Sequence, residues 1–169
     1  MFEFEESLRE GVLEVAKMMA LSARTAPKAR GIDNIEVKIL NTKEELELLA
    51  SKMEELSKEF GDFFLRDAQN VRNSVAVVLI GGKIIDLGLK NPRSWGLDVS
   101  VVCSLVNLGI AVGSAVKTAS LHNVDNRVMF TAGVAAQELG LIKADYVFGI
   151  PLSATPKNIY FDRRWPPAK

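Results

Sequence analysis

Three short stretches carry side chains that could do chemistry. In "SARTAPKARG", Arg24, Lys28 and Arg30 fall within seven residues with no acid between them, and Ser22 and Thr25 add hydroxyls. Forked and flexible cations of this kind suit a phosphate or a carboxylate. The same cations also suit the negative C-terminal end of a helix. In "NLGIAVGSAVKTA", Gly109 and Gly113 stand four apart inside an apolar run, with Ser114 next to the second. Glycine costs about 1 kcal/mol relative to alanine inside a helix. That cost points to a close approach on this backbone, by another helix or by a flat ligand. The third region joins "VDNRVMF" to "GIPLSATPKNIYFDRR". Arg127 in a first helical turn opposes the dipole, so it is expected to find a partner elsewhere, Asp162 being one candidate.

Other constellations are missing. His122 is the only histidine, which excludes a histidine-rich metal site. Cys103 is the only cysteine, so no intramolecular disulfide can form, and a reducing cytoplasm is the expected compartment. Within an apolar helix Cys103 reads as an inert core thiol. There is no phosphate-binding GxxxxGK[ST] loop and no GxGxxG after a strand. Ser153 in "GIPLS" does not sit in a nucleophile elbow.

Composition sets the frame. A 169-residue chain with 48% apolar and 25% charged residues reads as one globular domain able to bury a core. Basic and acidic residues number 21 each, and a net charge of zero argues against bulk nucleic-acid binding. The acidic start "MFEFEESLRE" lacks the features of a signal peptide. The run from Val99 to Leu121 is apolar enough to be weighed as a membrane span. It also contains Ser100, Ser104, Asn107, Ser114, Lys117, Thr118 and Ser120, so it reads as a buried helix with no membrane role. Scarce Gln with abundant Glu and Lys leans toward a thermophile.

The elements that must position these residues follow from periodicity. Phe4, Leu8, Val12, Val15, Met19 and Ala23 recur at helical spacing and predict a helix over residues 3–25, broken by Pro27 and Gly31. "IEVKIL" alternates as a half-buried strand. A capping box of Thr42 and Glu45 opens a helix that closes at Gly61, and a short helix runs from Asp62 to Arg72. "SVAVVLIGGK" is a continuous apolar strand. "IIDLGLKNPRSWGLD" is irregular, with room for one short strand. A helix starts at Asp98, and "NVDNRVMFTAGVAAQELG" reads as a single further helix with Gly140 just past its end. "DYVFGI" is the last strand. The pattern predicts an α+β or α/β layered domain around two long buried helices.

These residues also resemble a known group. "ALSARTAPKARGIDNIEVKIL", "LGIAVGSAVKTASLHNVDNRVMFTAGVAAQELG" and "GIPLSATPKNIYFDRR" resemble an uncharacterised prokaryotic family of ferredoxin-domain-containing proteins. More remotely, the layout resembles the FMN-dependent nitroreductase fold: a long first helix, an "AP" turn, a small-residue helix and a Gly-Pro segment after the last strand. That resemblance implies a small, mostly antiparallel sheet packed with long helices, bound FMN and an intertwined homodimer. It implies a phosphate held by Arg24, Thr25, Lys28 and Arg30 with Lys157 or Arg163 assisting, and a flavin ring approached at Gly113 and Ser114. It places the C-terminal segment, residues 151–165, at the dimer interface, with Arg127 and Asp125 as its polar partners. Members of the ferredoxin-domain family carry a cysteine cluster between the apolar strand and the small-residue helix. Here that region holds Cys103 alone, so no iron–sulfur cluster is expected. Two functions stay open: a flavin-dependent oxidoreductase, or a dimeric binding or structural protein that has lost its cluster and its cofactor.

Overall fold

A computed structural model describes residues 3–161 of the chain. Among these, five helices and four strands follow in the order α1 (Phe4–Thr25), β1 (Ile35–Leu40), α2 (Lys43–Phe60), α3 (Phe63–Arg72), β2 (Ala76–Gly82), α4 (Val99–Leu121), β3 (Asp125–Asn126), α5 (Phe130–Glu138) and β4 (Tyr146–Ser153). The strands form one antiparallel sheet in the order β1-β2-β4-β3. Helices cover both faces. Val78, Ile80, Ile150 and Leu152 pack with α1 and α4, while Val77, Leu79 and Val147 pack with α2, α3 and α5. This is why β2 is apolar at successive positions: alternate side chains enter two different cores.

Local chemistry sets most boundaries. The Thr42–Glu45 capping box is formed, with Glu45 N–H donating to Thr42 Oγ1 at 3.2 Å and Thr42 N–H to Glu45 Oε2 at 3.2 Å. The Asn41 and Thr42 amides hold the Glu45 carboxyl below the usual range, the bond from Asn41 N–H acting most strongly. Gly140 ends α5 with φ +66. Its N–H reaches Gln137 O and that of Leu141 reaches Ala136 O, which is the Schellman arrangement. The ends of the predicted stripes reach solvent: Phe4 is exposed, and Phe60, also exposed, stacks on the buried Phe64 with ring centres 5.6 Å apart.

Three expectations are corrected. The helix read from Asn123 onward begins only at Phe130, because Asn123 turns left-handed and Asp125 and Asn126 pair with Ser153 and Leu152. β4 runs past Ile150 to Ser153 and takes Pro151 into the sheet. Gly149 exchanges both backbone bonds with Met129, so the odd residues of β4 aim their N–H toward β3. Pro151 has none to give, and the ladder breaks there, leaving β3 two residues long. Residues 83–97 contain no strand.

α4 is long and apolar enough to cross a membrane by length and composition alone, with a mean hydropathy of 2.0 over its most apolar window. One face packs on the sheet, and its buried Ser100, Ser104 and Asn107 bond to neighbouring backbone or side chains. α5 lies directly on β4: a Cβ added at Gly133 would stand 1.9 Å from Val147 O.

Candidate functional site

The turn after α1 is built from its own cations. Pro27 cannot continue the helix. Lys28 folds back, and its Nζ donates to Arg24 O at 2.6 Å and Ala26 O at 3.0 Å, with Asp33 Oδ1 3.4 Å away. Its side chain is only 5% exposed, so this ammonium neutralises the negative end of α1. Arg24 Nη1 lies 2.5 Å from Asp33 Oδ2 with its side chain 67% exposed. Arg30 sits in the left-handed region at φ +55, and its Nη1 donates to Leu87 O at 2.5 Å. Thr25 Oγ1 donates to Leu21 O within its own helix. Arg24, Lys28 and Arg30, expected to share one anion, are each engaged within the turn of the free chain, by Asp33, by carbonyls or by a loop.

What fixes this turn is an amide pair that stands apart from the predicted site residues. Asn107, 2% exposed in the middle of α4, accepts from Ala29 N–H at 2.8 Å and donates to Asn34 Oδ1 at 3.0 Å. Asn34 in turn donates to Lys83 O at 2.7 Å. On the same face of α4, Ser104 Oγ accepts from Ile85 N–H and Ser100 Oγ from Leu87 N–H. The spacing of 100, 104 and 107 was a readable signal: three polar residues on one side of an apolar helix. They moor both the 25–31 turn and the irregular 83–97 segment.

The opposite face of α4 is open. Leu105, Val106, Ile110 and Leu121 are exposed, and nothing lies within 4 Å of a Cβ added at Gly109 or Gly113. Beside the turn, Pro27, Trp95, Val106 and Ile110 line an apolar groove of about 370 Å³. Cys103 lines it too, half-buried and not the fully buried thiol expected. On the other side of Pro27, Thr25, Ser114, Lys117 and Leu121 line a second groove of about 310 Å³. The structure thus brings Thr25 and Ser114 together, with Gly113 on the adjoining open surface. Lys157 stands apart, exposed in the segment after β4. Its neighbour Asn158 shares a cavity of about 430 Å³ with Ser120, Asp125 and Asn126, one turn beyond Lys117 along α4.

The C-terminal segment anchors on its own subunit. Tyr160 is buried in the core of the α2/α3/α5 face, and its hydroxyl lies 2.8 Å from Ser74 Oγ. Burial pushes the phenol up to about 12. Asn158 Oδ1 accepts from Tyr160 and Phe161 N–H. Arg127 donates to Tyr160 O at 3.2 Å and lies 5.2 Å from the centre of the Phe161 ring. Residues 162–165 of the expected 151–165 docking segment, Asp162 and Arg163 among them, lie outside the described residues.

The fold is that of nitroreductases. The hypothetical oxidoreductase YcnD of Bacillus subtilis superposes with a TM-score of 0.58 at 16% identity, covering 86% of this chain and 58% of that one. A nitroreductase family protein of Clostridium novyi gives 0.57 at 16%, with 95% and 85% covered. The NADPH:FMN oxidoreductase of Vibrio harveyi, solved with NAD+, gives 0.57 at 15%, with 90% and 64% covered. The chain spans less than two thirds of the length of YcnD and of the Vibrio enzyme. At the level of sequence, an uncharacterized protein of Archaeoglobus fulgidus is 42% identical over 171 residues, covering 91% of this chain and 92% of that protein. The pattern of the family described as "Uncharacterized protein containing a ferredoxin domain" matches residues 98–163. The chain belongs to that family.

The family's description implies an iron–sulfur centre, and the residues present do not fit one. Cys103 is the single cysteine, and among the described residues no three His, Cys, Asp or Glu side chains converge on a metal position. A cluster generally needs four ligands.

Proposed function

We propose that the protein is a homodimeric flavin-binding oxidoreductase of the nitroreductase kind, using FMN in the cytoplasm. The observation that carries this reading is the open face of α4. It joins exposed apolar side chains, two bare glycines and the grooves on either side of Pro27, on a fold shared with an NADPH:FMN oxidoreductase.

The fit to FMN divides between its two ends. The apolar groove beside Pro27 and Trp95 and the bare backbone at Gly113 suit a flat ring. For the phosphate, Lys28 and Arg30 are committed to carbonyls and shape the turn. Arg24, exposed and held by one carboxylate, is the cation of this turn able to turn outward, with Thr25 and Ser114 as hydroxyl donors beside it. Lys157 completes the set from the C-terminal side, across the dimer; Arg163, the other cation expected there, lies outside the described residues. Bound there, FMN supplies the hydride chemistry, and the chain supplies position and electrostatics.

The test is flavin absorbance of freshly purified protein, followed by titration with FMN while its fluorescence is read. Arg24→Ala is expected to weaken binding by roughly tenfold or more, the worth of one charged hydrogen bond. No spectral change at saturating FMN overturns the reading. The prior engagement of all three turn cations favours a second reading, a dimeric binding or structural protein without cofactor.

A further inference from the structure

The side-chain nitrogen and oxygen atoms that line the groove beside Pro27 are already in use. Lys28 Nζ is spent on Arg24 O and Ala26 O, and the Asn107 amide on Ala29 N–H and Asn34 Oδ1. What is left to grip a flat group is apolar contact, and Trp95 is the one aromatic side chain among the described lining residues. Its neighbours in the groove stand on the 25–31 turn and on α4, while Trp95 comes from the irregular segment between β2 and α4. We infer that residues 92–97 form a flap, and that Trp95 closes with it over the planar ring held in this groove. The inference rests on the flavin reading, the ring being that of FMN.

The base of this loop is anchored. Asn91 Oδ1 accepts from Val99 N–H at 2.6 Å, and Asn91 Nδ2 donates to Asp98 Oδ2 at 3.1 Å. Asp98 in turn caps α4, accepting from Ser100 and Val101 N–H. The two ends of the loop therefore meet at the start of α4, as in an Ω-loop. Upstream, Leu87 is 1% exposed; its N–H donates to Ser100 Oγ at 3.0 Å and its carbonyl accepts from Arg30 Nη1.

The tip is held by little. Every residue from 92 to 97 except Pro92 is exposed. Among the described residues the tip makes one backbone bond, and it is internal, from Trp95 N–H to Pro92 O at 3.1 Å. Nothing lies within 4 Å of a Cβ added at Gly96. An anchored base with a thinly bonded tip opens at low cost in free energy. Trp95 puts part of its surface on the groove and leaves 46% of the residue in water. A ring seated against the indole removes apolar surface of both from water, and offset stacking adds to that gain. The closed flap is thus the state that the bound ring favours.

Trypsin reads the tip directly, because Arg93 is an exposed cleavage position within it. The full chain is digested with and without FMN, and the cuts are placed by mass spectrometry. Cleavage after Arg93 is expected to slow about fivefold or more at saturating FMN, since proteolysis follows the open population. Trp95→Ala is expected to weaken FMN about fivefold or more and to abolish that protection, while Trp95→Phe, which keeps a ring, retains most of both. Neither change should move the melting temperature of the free protein, because the side chain is half in water. FMN binding with unchanged cleavage after Arg93, or with wild-type affinity in Trp95→Ala, would overturn the flap and leave the flavin reading in place. No FMN binding at all would overturn the flavin reading and the flap with it.

Discussion

Asn107 Oδ1 accepts the Ala29 N–H at 2.8 Å, and through this bond the middle of α4 holds the turn that follows α1. The two residues are 78 apart in sequence, and the same side chain also reaches Asn34. Asn107→Leu keeps the volume and orphans both partners. Each buried unsatisfied group costs about 1–3 kcal/mol. The variant should melt lower by about 4 °C or more and hold FMN more weakly, because the turn loses its mooring. Thermal unfolding with a parallel FMN titration checks both; an unchanged melting temperature would show that the bond adds nothing.

Gly109 and Gly113 separate a solvated face from an occupied one. In the single subunit nothing lies near either position. Alanine at both should then stabilise the helix, by about 1 kcal/mol each. On a face covered by a second copy and a flavin ring, the added methyls instead intrude. The expected result for Gly109→Ala with Gly113→Ala is weaker self-association and weaker FMN binding, read by sedimentation and fluorescence. A higher melting temperature with unaltered mass would return this face to the solvent.

Arg72 joins α2 to α3. It donates to Glu47 at 2.8–3.1 Å and to both carboxylate oxygens of Glu54, one of them at 3.0 Å. These bonds hold both glutamates below their usual 4.5, the hydrogen bond from Arg72 being the main cause in each. A depressed carboxylate stabilises the fold above its unfolded value, and that contribution fades as pH falls through the folded value. Melting temperature should therefore decline below about pH 4.5, and Arg72→Met should flatten that decline. An acid limb of unchanged slope in the variant would place the loss elsewhere.

Tyr160 predicts an alkaline limb. Its phenol moves from 10.0 to about 12 through burial, with hydrogen bonds to Ser74 and Ser153 opposing. The raised folded value means that stability is whole below pH 10 and declines as pH climbs from 10 toward 12. Two units correspond to about 2–3 kcal/mol. Tyr160→Phe should remove this decline and also the last phase of tyrosinate absorbance. Persistence of both in the variant would show that another group titrates there.

Much of the architecture was already legible in local chemistry. The Thr42–Glu45 box, Gly61, Gly140 and the apolar periods of α1, α2 and α4 act within a few residues, so they can be read one turn at a time. The candidate site was legible only as a set of neighbourhoods. Spacing showed that Arg24, Lys28 and Arg30 are close in sequence. It could not show that Asp33 and the helix-end carbonyls take them, because a charge's partner is fixed by how the chain returns. Asp125 and Asn126 leave the helical pattern for β4, a strand more than twenty residues later. The polar residues of α4 were visible as departures from an apolar run, but only packing turned Asn107 toward Ala29 and Asn34. The sequence by itself determined most of the elements, their layered class and the lack of cluster ligands, since these depend on local spacing and on counts. Tertiary structure alone decided which cations are spent, which face of α4 is bare and where Tyr160 docks. Each of these depends on contacts between segments that meet only when two helical layers close on one sheet.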